Sequence, residues 1–181
     1  MPTFISMLRG INVGHQNQIR MTDLQFLYES LGFTDVQTYV QSGNVVFNSQ
    51  DPDPVLVANK IEAALQQKYG SPIPVLIRTP EDFQRLIDSN PFIHGRNEDP
   101  SKLHITFLYR RPSAEGIDRL DGFTDPIDEY FIGEQEVFLF CPNGYGRTRL
   151  SNTFFEKKLA IPATTRNWNT VTTLLTLAKG Q

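Results

Sequence analysis

Arg9-Gly10-Ile11-Asn12-Val13-Gly14 sets a guanidinium, a carboxamide and two glycines directly behind an apolar run, Phe4 to Leu8. Gln41-Ser42-Gly43-Asn44 adds two more amides and a hydroxyl, and Arg166-Asn167 repeats the arginine and amide pairing near the C-terminus. These groups donate hydrogen bonds and supply positive charge, but none is a ready general base. The chemistry they suit is recognition of a phosphate or carboxylate rather than proton transfer.

The familiar catalytic signatures are absent from the sequence. His15, His94 and His104 stand far apart, so no pair has metal-ligand spacing. Gln41-Ser42-Gly43-Asn44 reads as a hairpin turn and not as a nucleophile elbow. Cys141 has no histidine nearby in the sequence to activate it. Gly144-Tyr145-Gly146-Arg147-Thr148-Arg149 resembles a phosphate loop only loosely, lacks the Lys-Ser/Thr ending, and reads as a flexible surface loop. No cofactor, reaction or oligomeric state is specified, and whether the chain is an enzyme stays open.

Composition narrows the class. The 181 residues are 39% hydrophobic and 20% charged, with thirteen phenylalanines, which is ample for a packed core. A formal charge of -3 gives no general basic field for nucleic acid. One cysteine allows no internal disulfide, and no apolar run reaches membrane-span length. The expectation is a cytoplasmic protein without a membrane segment.

The polar groups must be positioned by the elements around them. Thr3 to Leu8 reads as a central strand. Met21, Leu24, Leu27, Tyr28 and Leu31 form one helical stripe, with Thr22 and Gln25 at capping-box spacing and Gly32 as its stop. Val36 to Val40 and Val45 to Phe47 are strands joined by the 41–44 turn. Asp51-Pro52-Asp53-Pro54 opens a helix to about Tyr69, Gly70-Ser71-Pro72 stops it, and Ile73 to Ile77 is a strand. The order is β-α-β-β-α-β, the ferredoxin-like pattern. After a helix opening at Thr79-Pro80, strands at 103–109, 129–132 and 136–140 and helices at 113–120 and 152–159 suggest a second such unit. A last helix is expected from about Thr165 to Ala178, with Arg166 and Asn167 in its first turn. The predicted fold is therefore α+β, a duplicated ferredoxin-like arrangement with a C-terminal helical segment. Subdomains at 1–79 and 80–181 are expected to pack as one rigid body.

That topology brings the loop after the first strand to the same sheet end as the 41–44 turn. Arg9, Asn12, Gln41, Ser42 and Asn44 are thus candidate ligand-binding residues, with Arg166 and Asn167 as a second source. The expected partner is a small anionic or phosphorylated molecule. Two alternatives stand beside it: a nucleic-acid module using Arg110, Arg111, Arg147 and Arg149, and a protein that docks a partner through its sheets. The third strand, Asn44 to Phe47, carries one aromatic and no basic residue, which argues against RNA reading on the sheet face.

The chain also resembles a family of uncharacterised bacterial proteins, domain of unknown function 1697. The resemblance rests on Leu8 to Gly14, Met21 with Leu24, Leu31-Gly32-Phe33, Val36, Thr38 to Phe47, Asn90-Pro91-Phe92 and Thr164 to Val171. It implies a duplicated ferredoxin-like fold and brings no established activity or site residue. Members commonly carry a further glycine and lysines after the Val13-Gly14 position. This chain has His15, Gln16, Asn17 and Gln18, which leaves Arg20 as the only base of that loop.

Overall fold

A computed structural model of the chain describes residues 1–180. It contains two compact units, one formed by Met1–Arg85 with the chain from Thr172 onward, the other by Leu86–Val171.

In the first unit, β1 (Thr3–Leu8), α1 (Met21–Ser30), β2 (Thr34–Tyr39), β3 (Asn44–Asn48), α2 (Pro54–Tyr69) and β4 (Val75–Arg78) follow in the expected order. The antiparallel sheet runs β2-β3-β1-β4, which is the ferredoxin-like arrangement. The period of two along β1 sends Phe4 and Leu8 into a core with Leu24, Leu27, Tyr28, Val57, Ile61 and Leu65 from the two helices. Ser6 lies on the same face and its hydroxyl meets the Tyr28 phenol at 2.9 Å, so the one polar group there is satisfied. Tyr28, Phe33 and Phe47 pack ring against ring, with centroids 4.7 to 5.9 Å apart.

Helix ends follow local chemistry. The Asp53 carboxylate accepts from the Val55 amide, Pro54 opens α2, and Gly70 ends it in the left-handed conformation. Thr79 and Asp82 form a reciprocal capping box at α3 (Pro80–Asp88). The box expected at Thr22 and Gln25 does not form. The helix starts two residues earlier, behind Arg20, which gives no side-chain cap, and Gln25 instead donates to Glu29 one turn on.

The second unit repeats the plan: β5 (Leu103–Leu108), α4 (Ala114–Asp118), β6 (Glu129–Ile132), β7 (Glu136–Phe140), α5 (Asn152–Leu159) and β8 (Ala163–Asn167). Its sheet order, β6-β7-β5-β8, is that of the first sheet element for element. Leu108, Val137, Leu139, Phe155, Leu159 and Ala163 form its core. The duplication read from the element order is therefore present in the strand order as well.

Arg166 does not lie in a helix: residues 163–167 form β8, which pairs with β5 and sets Arg166 opposite Ile105. Thr164 and Thr165 are β-branched and favour that extended backbone. The helix α6 (Trp168–Ala178) begins only after Asn167, whose side chain accepts from the Thr170 amide as an N-cap.

Candidate functional site

The end of β1 is built by asparagine side chains acting on backbone. The Asn12 carboxamide oxygen accepts from the Ile19 amide at 2.8 Å, and its nitrogen donates to the Ile19 carbonyl and, at 2.7 Å, to the Gln41 carbonyl. Asn12 itself has φ 55°, a conformation asparagine tolerates better than most residues. Asn17 donates to the Gly10 carbonyl and accepts from Ser71. Gln18 donates to the Gly14 carbonyl. The 10–20 loop is thus tied to itself, to the 41–44 turn and to the chain after α2.

The turn is similarly pinned. Asn44 is fully buried, and its nitrogen donates to the Tyr39 carbonyl and the Ser42 hydroxyl. Gly43 has φ 85°, and a Cβ there would stand 2.5 Å from the Ile11 Cδ1. Only glycine fits both the angle and the space. Val40 has φ 51° although it is β-branched, and its side chain is exposed.

Between loop and turn lies a cleft of about 520 Å³, lined by Asn12, Gln18, Ile19, Arg20, Asp23 and Gln41. The topology thus brings two of the expected residues, Asn12 and Gln41, to one cavity. Ser42, Asn44 and Arg9 are not among the lining residues, and the Arg9 backbone amide bonds the Pro74 carbonyl. Arg166 and Asn167 belong to the second unit.

The sequence reading missed Arg20, Asp23 and Gln18 as lining residues. Arg20 carried a signal, being the only base left in its loop; Asp23 stands in the first turn of α1, where acids are common, and carried none. Neither side chain makes an ion pair or hydrogen bond among the described residues, although both face one cleft. The Tyr69 phenol is pushed up from its ordinary value by burial and then by the Asp23 charge.

In the second unit Arg166 is buried, donates to the Thr164 hydroxyl at 2.6 Å and to the Thr165 carbonyl, and is pushed down to about 10 by burial. It remains charged at neutral pH. Its neighbour Asn167 is occupied as the cap of α6. The 144–149 segment is not a free loop: Tyr145 stacks on His104 at 4.6 Å and its hydroxyl accepts from the Asn152 amide. Asn152 also joins Thr165 and, through it, Thr106 in one half-buried chain of hydrogen bonds. Of the four arginines read as a patch, Arg110 bonds the Ala160 carbonyl and Arg111 pairs with Glu134. No cluster of three His, Cys, Asp or Glu fit for a metal occurs among the described residues, and no helix among them is long and apolar enough to cross a membrane.

Two ferredoxin-like sheets of identical strand order, the first carrying a polar cleft at its sheet end, define the class of protein. The chain belongs to the family described as protein of unknown function (DUF1697), which matches residues 1–138. Among solved structures it is similar to the conserved bacterial protein SP0830 from Streptococcus pneumoniae, with 22% identity, 99% of each chain covered and a TM-score of 0.76. That likeness speaks for the fold. No curated protein matches.

Proposed function

We propose that the protein binds a small anionic or phosphorylated molecule in the cleft between the 10–20 loop and the 41–44 turn. The carrying observation is that Arg20, without an ion pair or hydrogen bond from its side chain among the described residues, lines a cavity of about 520 Å³. Pockets for small ligands are of this size, and a guanidinium offers paired donors that match a phosphate or carboxylate. Arg20 also precedes the first turn of α1, where the backbone dipole favours negative charge and no side chain caps the helix. Gln41 contributes its side-chain amide. Asn12, Ser42 and Asn44 serve the ligand indirectly, by fixing the loop and turn before it arrives. Arg9 lies at the same sheet end outside the cleft lining and adds to its positive field.

A cytoplasmic setting suits a chain whose lone cysteine is buried with its thiol pushed up to about 11. If the protein is an enzyme, a site without an evident base or nucleophile would work by positioning and electrostatic stabilisation.

The test is a thermal-shift panel of sugar phosphates, nucleotides, carboxylates and short RNAs against the wild type and Arg20→Ala. A ligand at about 100 times its Kd stabilises by ~2.7 kcal/mol, a shift of several degrees for a chain of this size. Stabilisation by a small anion that disappears in Arg20→Ala is the expected result. A shift produced only by RNA and unaffected by that substitution would contradict it.

A further inference from the structure

The cleft holds an acid as well as a base, and the acid restricts what can bind. Asp23 lines the same cavity as Arg20, three residues on along α1, and the two are not paired with each other. A bare anion held by Arg20 would be repelled by the Asp23 carboxylate, and a neutral molecule would leave the guanidinium unused. Both side chains are satisfied by one molecule that carries an anionic group at one end and hydrogen-bond donors at the other. A carboxylate is acceptor-only when ionised, so it reads hydroxyls well and can take two at once.

The rest of the lining sharpens this. The Gln18 nitrogen is held by the Gly14 carbonyl, which leaves its oxygen as a second acceptor, and the Gln41 amide can both donate and accept. No aromatic side chain lines the cleft; Ile19 is its one apolar member. A nucleobase would have no ring to stack on, whereas several hydroxyls would find a carboxylate and two amides. Resting on the anion reading above, we infer that the ligand is a phosphorylated sugar or polyol, with Arg20 taking the phosphate and Asp23 accepting from its hydroxyls.

The experiment is isothermal titration of the full chain at fixed ionic strength with inorganic phosphate, a set of pentose and hexose phosphates, the corresponding free sugars, adenosine monophosphate and glutamate. Wild type, Arg20→Ala, Asp23→Asn and Asp23→Ala are compared after circular dichroism has verified folding; Arg20 is exposed and Asp23 half-buried. At least one sugar phosphate should bind about tenfold or more tightly than phosphate or its own free sugar. Asp23→Asn should weaken that sugar phosphate several-fold while leaving inorganic phosphate unchanged or tighter, because it removes an acceptor and a repulsion together. Arg20→Ala should weaken both phosphate and sugar phosphate. If Asp23→Asn tightens phosphate and sugar phosphate alike, or if adenosine monophosphate or glutamate is the best ligand, the sugar-phosphate assignment is wrong and the anion site stands. If no anion binds, or Arg20→Ala binds as the wild type does, the anion site itself is wrong.

Discussion

The Asn12 carboxamide donates to the Gln41 carbonyl at 2.7 Å, joining the loop after β1 to the turn between β2 and β3. Its other two hydrogen bonds go to Ile19, next to Arg20. One side chain therefore sets both walls of the cleft.

Replacing Asn12 by Ala removes all three bonds and places alanine at φ 55°. The expected loss is about 1–3 kcal/mol by urea denaturation, together with faster hydrogen exchange at Ile19. Unchanged exchange there would show that the loop is held by other contacts.

Gly10 and Gly43 both have positive φ but different surroundings: a Cβ at Gly10 meets nothing, and one at Gly43 meets Ile11 and Leu8. Gly10→Ala should cost about 1 kcal/mol, the conformational penalty alone. Gly43→Ala adds a steric conflict and should cost roughly 2–4 kcal/mol. Equal costs for the two would contradict the close approach.

Val40 stores strain that another residue would relieve. Asparagine tolerates the left-handed region, so Val40→Asn should raise stability by about 1 kcal/mol. Its side chain is exposed, so little packing is lost. A fall in Tm would mean that the valine is held by contacts stronger than its backbone penalty.

Half-buried His104 and buried Cys141 each contribute to the pH response. Burial pushes the His104 imidazole below its ordinary value of 6.5, so the fold favours the neutral ring. The unfolded chain takes up that proton first as pH falls, so the His104 contribution is present above about pH 6.5 and is lost as pH drops below it. His104→Gln should flatten this part of the stability profile. Cys141 is pushed from 9.0 up to about 11, so its contribution is present below pH 9 and is lost as pH rises towards 11. At pH 8 a thiol reagent should label Cys141 only on unfolding; rapid labelling of the native protein would contradict its burial.

Most of the architecture was legible because its signals are local. The stripe from Met21 to Leu31, the helix start within residues 51–54 and the Gly70 stop each act over a few residues, and the strand order follows from the element order. What was not legible depends on tertiary partners. Strand β8 looked like the first turn of a helix until β5 was beside it, since Trp168, Val171, Leu174 and Leu175 already supplied a helical period. The site was half readable for the same reason. That Asn12 and Gln41 share one end of the sheet follows from topology, but the Asn12 carboxamide holds backbone, a fact that spacing cannot express. Arg20 and Asp23 become neighbours of Gln41 only when the loop folds back over the turn.

Binding of a small anion beside Arg20 can be read residue by residue in an amide NMR titration with a sugar phosphate. Shifts concentrated at Asn12, residues 18–23 and Gln41, saturating and abolished by Arg20→Ala, are the predicted result. No saturable shift at those amides, or shifts confined to Arg110, Arg111, Arg147 and Arg149, would contradict it.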